Sequence, residues 1–462
     1  MGSREQPMAK QSAEFRALVA DAMTHFQGGR IAQAESAYRA ALAIVPRDPA
    51  VTHNLGVAIA AQGRHGAAVG CFDEALKADP DFVSAHYNRA VALMALGETQ
   101  PAIKAFSRAS TLEPQHYEAH RALGFLWLSQ GERGRALDHF ARTYELRRGD
   151  DRTTIARKSL TTATRHKLEH DADQLLYLSQ RTRDRPRFEL LARSYREIAK
   201  QVPDEVTTLS DVQIDALGEN YNTPIHLSAA PEVAGRAVNE RTDRVALTAQ
   251  FEEQGAVCVD DLLTPQALHL LRRFLLESTI WHDFSHIDGF VASYLEDGLA
   301  CPLLLQIADE LRSAFPDVLG KHSLCQAWAF KGLQAQAAVD VHADDAAVSV
   351  NFWVTPTEAN LAPGRGGLVV CRAPPPDDWE IKDYDADRER IVTFLEQKAV
   401  DSLVVPYRQN RAVLFQSRLF HHSDRPEFAS SYENHRINLT LLYGLPLARL
   451  AKDLLGSVLF QN

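Results

Sequence analysis

The feature that most restricts what this chain can fold into is a period of 34 residues. Gly29, Gly63, Gly97 and Gly131 keep that step, as do Ala34, Ala68, Ala102 and Ala136. Tyr38, Phe72, Phe106 and Phe140 keep it too, and so do Pro46, Pro80 and Pro114. Four features sharing one period define a unit that reads as a helix hairpin. The glycine ends the first helix, the alanine lets the second helix approach closely, and the aromatic four residues later plugs the gap to the next unit. A hairpin of this kind cannot bury its apolar face alone, so successive units must stack. The N-terminal third is therefore expected to be an all-α solenoid.

This pattern resembles the tetratricopeptide repeat, over roughly residues 12–147 with about four units. The resemblance implies a concave groove that takes a protein or peptide segment, which here would be the substrate. A purely architectural role in self-association, giving a homo-oligomer, stays open beside it. Asn54, Asn88 and His120 are the candidate groove-facing polar residues. Residues 148–240 read as a helical extension and linker: Leu168, Leu175, Leu176 and Leu178, then Phe188, Leu190, Leu191 and Tyr195, follow helical spacing and would continue or cap the solenoid. The polar stretch from Pro203 to Asp243 reads as a crossover between domains. Arg181, Arg183, Arg185 and Arg187 read as a solvated turn.

Composition narrows the function classes. A formal net charge of −10 argues against nucleic acid as a partner, because phosphate contacts need clustered lysine and arginine. The N-terminus has no apolar core of a signal sequence, and no apolar run is long enough to span a bilayer. A cytoplasmic protein with no membrane partner is expected. Cys71, Cys258, Cys301, Cys325 and Cys371 form no close pair and read as reduced core fillers.

The last 220 or so residues change character. A helix from Thr264-Pro265 to about Glu277 precedes short apolar strands at Gln326–Phe330, Ala347–Val354, Gly367–Cys371, Leu403–Val405, Ala412–Phe415 and Ile437–Tyr443. About 220 residues of this kind suit a β-sandwich or jelly roll. Within it stands Val341-His342-Ala343-Asp344. If that segment is a strand, His342 and Asp344 share a face and Ala343 is turned away. A histidine about 80 residues later, from the pair His421-His422, would complete a 2-His-1-carboxylate metal site, which leaves adjacent iron positions free for a co-substrate and dioxygen. In the segment that follows, Arg436, Asn438 and Thr440 alternate with Ile437, Leu439 and Leu441, so one face can be a polar pocket. An inward arginine there calls for an anion.

These residues resemble the Fe(II)/2-oxoglutarate-dependent dioxygenase superfamily, prolyl-hydroxylase type, over roughly residues 245–445. Asn351-Phe352-Trp353-Val354, Gly366-Gly367-Leu368 and the stretch Tyr432 to Thr440 carry the likeness beside the metal motif. The resemblance implies that residues 241–462 form a double-stranded β-helix with support helices. It implies His342, Asp344 and His421 as metal and catalytic residues; His421 is chosen over His422 by the L-F-H-x-x-D pattern. It implies Arg436 and Asn438 as binding residues for 2-oxoglutarate, with Fe(II) and O2 as the other reactants. An intact Asp344 favours hydroxylation. The expected activity is hydroxylation of a protein or peptide side chain recruited by the repeats; an oxygenase of a small metabolite or carrier-bound intermediate, and a non-catalytic scaffold, are the alternatives. Which face of Asn351 and Trp353 lines the barrel is left open. Trp328 and Lys331 are candidate pocket borders, with core packing favoured for Trp328. Asp345 and His322 read as structural, and the Pro374-Pro375-Pro376 to Trp379 segment reads as an exposed lid.

Overall fold

The computed structural model describes residues 2–149, 160–218, 220–240, 243–284, 289–333, 337–380, 383–384, 387–444, 451 and 454. The chain divides into two compact units: Met1–Leu126 with Pro446–Asn462, and Trp127–Leu445.

The repeats are eight helices: α1 (Gly2–Gln27), α2 (Ile31–Ile44), α3 (Pro49–Ala60), α4 (His65–Ala78), α5 (Val83–Ala95), α6 (Thr99–Leu112), α7 (Tyr117–Ser129) and α8 (Arg133–Arg148). Gly29, Gly63, Gly97 and Gly131 all sit at φ between 71 and 78°. They close the first helix of each hairpin in the left-handed conformation that only glycine adopts without strain. The four repeat alanines are fully buried, and Tyr38, Phe72, Phe106 and Phe140 are at most 3% exposed. The expected mechanics therefore hold position by position.

The unit Trp127–Leu445 begins inside the fourth repeat. Helix α8 packs against the turn Leu295–Asp297, where Arg148 donates Nε and Nη2 to Asp297 at 2.8 and 2.6 Å, both side chains being buried. The expected linker is also a built part of this unit. Helices Arg165–Ser179 and Arg185–Ala199 pack on each other around Leu168, Leu175, Leu178, Phe188 and Tyr195. Gln174 donates to the Leu276 and Ser278 carbonyls that end the helix Pro265–Glu277. Beyond Pro203, Val233 exchanges hydrogen bonds with the Gln306 side chain, and Glu310 accepts from the Ala237 and Val238 amides. The polar, proline-punctuated text hid this, because the stretch satisfies its backbone through side chains of other elements instead of through a ladder of its own. Within the arginine run, Arg185 pairs with Glu189 and Arg187 with Asp184 and Asn220, as a solvated turn would.

Strands β1 (Thr162–Ala163) and β2 (Thr207–Thr208) pair locally. The main sheet is antiparallel, in the order β3 (Ala256–Val259), β9 (Ala412–Gln416), β6 (Val348–Trp353), β11 (Ile437–Tyr443), β5 (Leu324–Gly332), β4 (Phe290–Tyr294). A second sheet runs β10 (His421–Ser423), β7 (Leu368–Cys371), β8 (Ser402–Val405). Trp353, Val413 and Phe415 from the first and Leu368, Val370 and Val405 from the second share one core, so the sheets face each other. The six expected strands are present with shifts of one or two residues at their ends. The two-residue strands β1 and β2 and the edge strand β4 were not anticipated. Segment 341–344 is not a ladder strand: it is held by an isolated bridge of His342 to His421.

Candidate metal centre

Between the sheets, His342, Asp344 and His421 offer one ligand atom each within 4.8 Å of one another. His342 Nε2 lies 3.8 Å from Asp344 Oδ1, and His421 Nε2 lies 3.6 Å from Asp344 Oδ2. The reciprocal backbone bonds of the His342–His421 bridge, 3.1 and 2.8 Å, bring the two imidazoles together across a long sequence gap. Asp344 is pinned from behind by its own amide, which donates to the Ser417 carbonyl. Ala343 is turned into a separate small core with Phe420, Tyr384 and Cys371, as the alternation argument expects.

The nitrogen roles are set by the backbone. His342 Nδ1 is 2.8 Å from the Asp340 carbonyl, and His421 Nδ1 is 2.9 Å from the Leu419 carbonyl. A carbonyl can only accept, so each ring carries a proton on Nδ1 and leaves Nε2, turned toward Asp344, as the nitrogen available to a metal. Burial first, and then the adjacent His342, push the His421 imidazole down to about 4, which keeps it a neutral donor at physiological pH. Ser349 lies 2.7 Å from Asp344 Oδ2 and 2.9 Å from the Ser417 hydroxyl, both serines being fully buried. A carboxylate donates nothing, so Ser349 must spend its proton on Asp344. Two imidazole Nε2 atoms and one oriented carboxylate form a donor set that fits a divalent first-row metal with open positions. His422 is outside the trio; its Nδ1 sits on the Ser423 carbonyl.

Arg436 is 4% exposed and precedes β11. It donates Nε to the Gly366 carbonyl at 3.0 Å and Nη2 to the Gly367 carbonyl at 3.3 Å, and Nη1 is 3.4 Å from Asn438 Oδ1. Among the described residues no carboxylate pairs with it. Burial lowers this guanidinium to about 10, so it keeps its charge at neutral pH. Gly367 can only be glycine: a Cβ there would stand 1.9 Å from the Val405 carbonyl oxygen. A buried cation held by carbonyls, beside Asn438 and Thr440, is a seat for a carboxylate. The trio, Arg436, Asn438 and Thr440 all line one cavity of about 790 Å³.

Other expectations sort as follows. Asn351 lines the cavity, so the odd-numbered face of β6 looks inward, and Ser349 and Trp353 share it. Trp328 lines the cavity although core packing was favoured for it, while Lys331, three residues on, points the other way. Lys331 is fully buried with its amine 3.2 Å from the Tyr432 ring centre, and burial holds that amine well below the ordinary lysine range. Trp379 is no free lid, since it packs on Phe394 and Phe420. Asn88 is 4% exposed and donates to His53 Nε2, while Asn54 meets His53 Nδ1, so Asn88 joins neighbouring repeats instead of presenting itself to a groove. His120 is half-buried, and Asp345 and His322 are outside the metal cluster. Sequence reasoning missed Ser349, Ser417 and Tyr294. Ser349 carried a readable signal, a polar residue on the same strand face as Asn351.

No described helix is long and apolar enough to cross a membrane. No curated protein matches the chain. Similar solved structures include the first TPR of Spaghetti bound to an HSP90 peptide, 22% identical over 26% of this chain and 95% of that one, with a TM-score of 0.26. An O-GlcNAc transferase mutant of Thermobaculum terrenum is 27% identical over 31% of this chain and 28% of that one, TM-score 0.27. YrrB, a TPR protein with an unusual peptide-binding site, is 15% identical over 32% of this chain and 75% of that one, TM-score 0.28. The family model of the tetratricopeptide repeat matches residues 19–81, 60–111 and 87–151. The helical hairpins of the N-terminal region are thus tetratricopeptide repeats.

Proposed function

We propose that the sheet-bearing unit is an Fe(II)- and 2-oxoglutarate-dependent dioxygenase with a double-stranded β-helix core. It would hydroxylate a side chain of a protein or peptide that the tetratricopeptide repeats recruit. The observation that carries this reading is the pairing of the His342–Asp344–His421 donor set with Arg436, a buried cation without a carboxylate partner among the described residues, in one cavity. His342, Asp344 and His421 would hold the iron. Arg436, with Asn438 and Thr440, would seat the far carboxylate of 2-oxoglutarate, with the Trp353 ring centre 5.9 Å from the guanidinium carbon. Iron with bound 2-oxoglutarate supplies the oxidising power to hydroxylate an unactivated C–H bond with dioxygen. The chain's own share is to hold each imidazole by its Nδ1 proton on a backbone carbonyl, to orient Asp344 through Ser349, and to set the site in a cavity between two packed sheets.

The test is anaerobic titration of the full chain with Fe(II) and 2-oxoglutarate, followed by the weak visible metal-to-ligand charge-transfer band. A band that is lost in His342→Ala and weakened in Arg436→Ala supports the reading. A correctly folded protein without the band refutes it and leaves the repeats as an interaction scaffold.

A further inference from the structure

The cavity is far larger than a five-carbon diacid needs, and its floor is divided. Strand register lays Tyr294, Trp328, Thr440 and Asn351 side by side across β4, β5, β11 and β6. The next row of the same face runs Ala292, Phe330, Asn438 and Trp353. The boundary therefore falls between β5 and β11. Among the described residues of the sheet floor, the β11–β6 side presents Asn438, Thr440 and Asn351 beside Arg436, with Asn438 against the guanidinium and Asn351 donating to Thr440, whereas the β4–β5 side presents Tyr294, Trp328 and Phe330.

This aromatic half is built and leaves surface uncovered. Trp328 and Phe330 lie tilted at 53° with ring centres 6.3 Å apart, and Phe290 braces Phe330 edge-on at 6.1 Å. Tyr294, Trp328 and Phe330 are each only half-buried, so their faces border the cavity. The Tyr294 hydroxyl is hydrogen-bonded to Asp283, which leaves its ring as the surface offered. Among the described residues the Trp328 indole N–H meets no acceptor, so it stands as a donor beside the rings. The charges at the rim, Arg388 and Asp340, satisfy each other at 3.0 Å.

We propose that the β4–β5 half of the cavity seats the substrate, and that it takes an uncharged apolar side chain of a polypeptide. A carboxylate would meet the negative faces of three rings, and the cation that could receive it, Arg436, stands on the β11 side. An ammonium would gain cation–π attraction from the same faces but give up its hydration without a carboxylate to receive it, because Asp340 is paired with Arg388 and Asp344 belongs to the metal trio. An aliphatic or aromatic group loses only water there, and a backbone carbonyl beside it can accept from Trp328. The proposal rests on the dioxygenase reading only for the chemistry done at this seat; the seat itself is defined by the protein.

The probes are the N-acetyl amides of phenylalanine, leucine, aspartate and lysine, at millimolar concentration with the full chain. Saturation-transfer NMR on metal-free protein reads the seat alone. Phenylalanine and leucine amides are expected to receive saturation, with the signal reduced about fivefold or more in Trp328→Ala and in Phe330→Ala, and the charged amides to receive little. Adding Mn(II) and 2-oxoglutarate should then broaden the side-chain protons of the bound apolar probes, and His342→Ala should abolish the broadening. Equal transfer to the aspartate or lysine amide, apolar transfer that ignores both substitutions, or no transfer to any probe overturns the proposal. Seat-dependent binding without Mn(II) broadening supports the seat and counts against the metal reading alone.

Discussion

Ser349 is the residue on which the metal reading can be tested most sharply, because its hydroxyl touches the proposed carboxylate ligand and nothing in solvent. In Ser349→Ala, Asp344 loses its 2.7 Å donor at Oδ2 and the Ser417 hydroxyl loses its neighbour. A hydrogen bond to a charged group contributes about 1.5–3 kcal/mol. The loss of such an outer partner lowers metal affinity about 10–100-fold, which is about 1.4–2.7 kcal/mol and agrees with it. The same site should bind Co(II), and anaerobic titration followed by visible absorption gives the affinity directly without dioxygen chemistry. The metal-free variant should also lose about 1.5–3 kcal/mol of stability by the same figure, measured separately by chemical denaturation. Ser349→Cys, close in shape but a weak donor, should fall between the two. Unchanged Co(II) affinity in a normally folded Ser349→Ala protein would show that Asp344 is not held for a metal by this hydroxyl.

Three further outcomes are expected. Gly367→Ala forces a Cβ into the Val405 carbonyl, so it should break the β7–β8 pairing, cost about 3 kcal/mol or more, and weaken 2-oxoglutarate binding through the displaced Arg436, measured by thermal melting and by the charge-transfer titration. Arg148→Ala strands Asp297, whose carboxyl burial pushes up and Arg148 then pulls well below its usual range; the cost should be about 3–5 kcal/mol by chemical denaturation, against near-neutral effects for Arg185→Ala on the surface. Acid should unfold the sheet-bearing unit early. Burial and then Lys331 hold His170 down at about 3, so only the unfolded chain takes up a proton as pH falls below about 6.5, and at pH 4.5 this one residue removes about 2–3 kcal/mol of stability. His282, lowered by burial first and by Arg148, acts in the same direction. Stability that stayed level from pH 7 to 4.5 by circular dichroism would contradict both assignments.

Local patterns were legible in the sequence and long-range ones were not. The repeat glycines, alanines and aromatics declared their roles because each acts within one hairpin. The alternation from Arg436 to Thr440 separated pocket from core because a strand face has period two. Trp328 was misread because an aromatic residue in an apolar strand usually fills a core; only the register with Tyr294 and Thr440 shows the cavity beside it. Segment 341–344 was read as a strand, but its pairing depends on one bridge to a residue nearly eighty positions away. The linker was misread because side-chain partners such as Gln306 and Glu310 supply its hydrogen bonds, and composition does not record that.

The ion pair between Arg148 and Asp297 has a consequence for how such a protein can be dissected or recombined. The fourth hairpin looks like the last interchangeable module of an array, and a cut after residue 148 looks like the natural seam. Yet Asp297 ends the turn that follows the edge strand carrying Tyr294. A fragment beginning at residue 150 would therefore lose both the cation that neutralises Asp297 and the helix that covers it, next to the aromatic wall of its cavity. The final repeat helix is inherited with the sheet, and any exchange of arrays among relatives would have to join upstream of it.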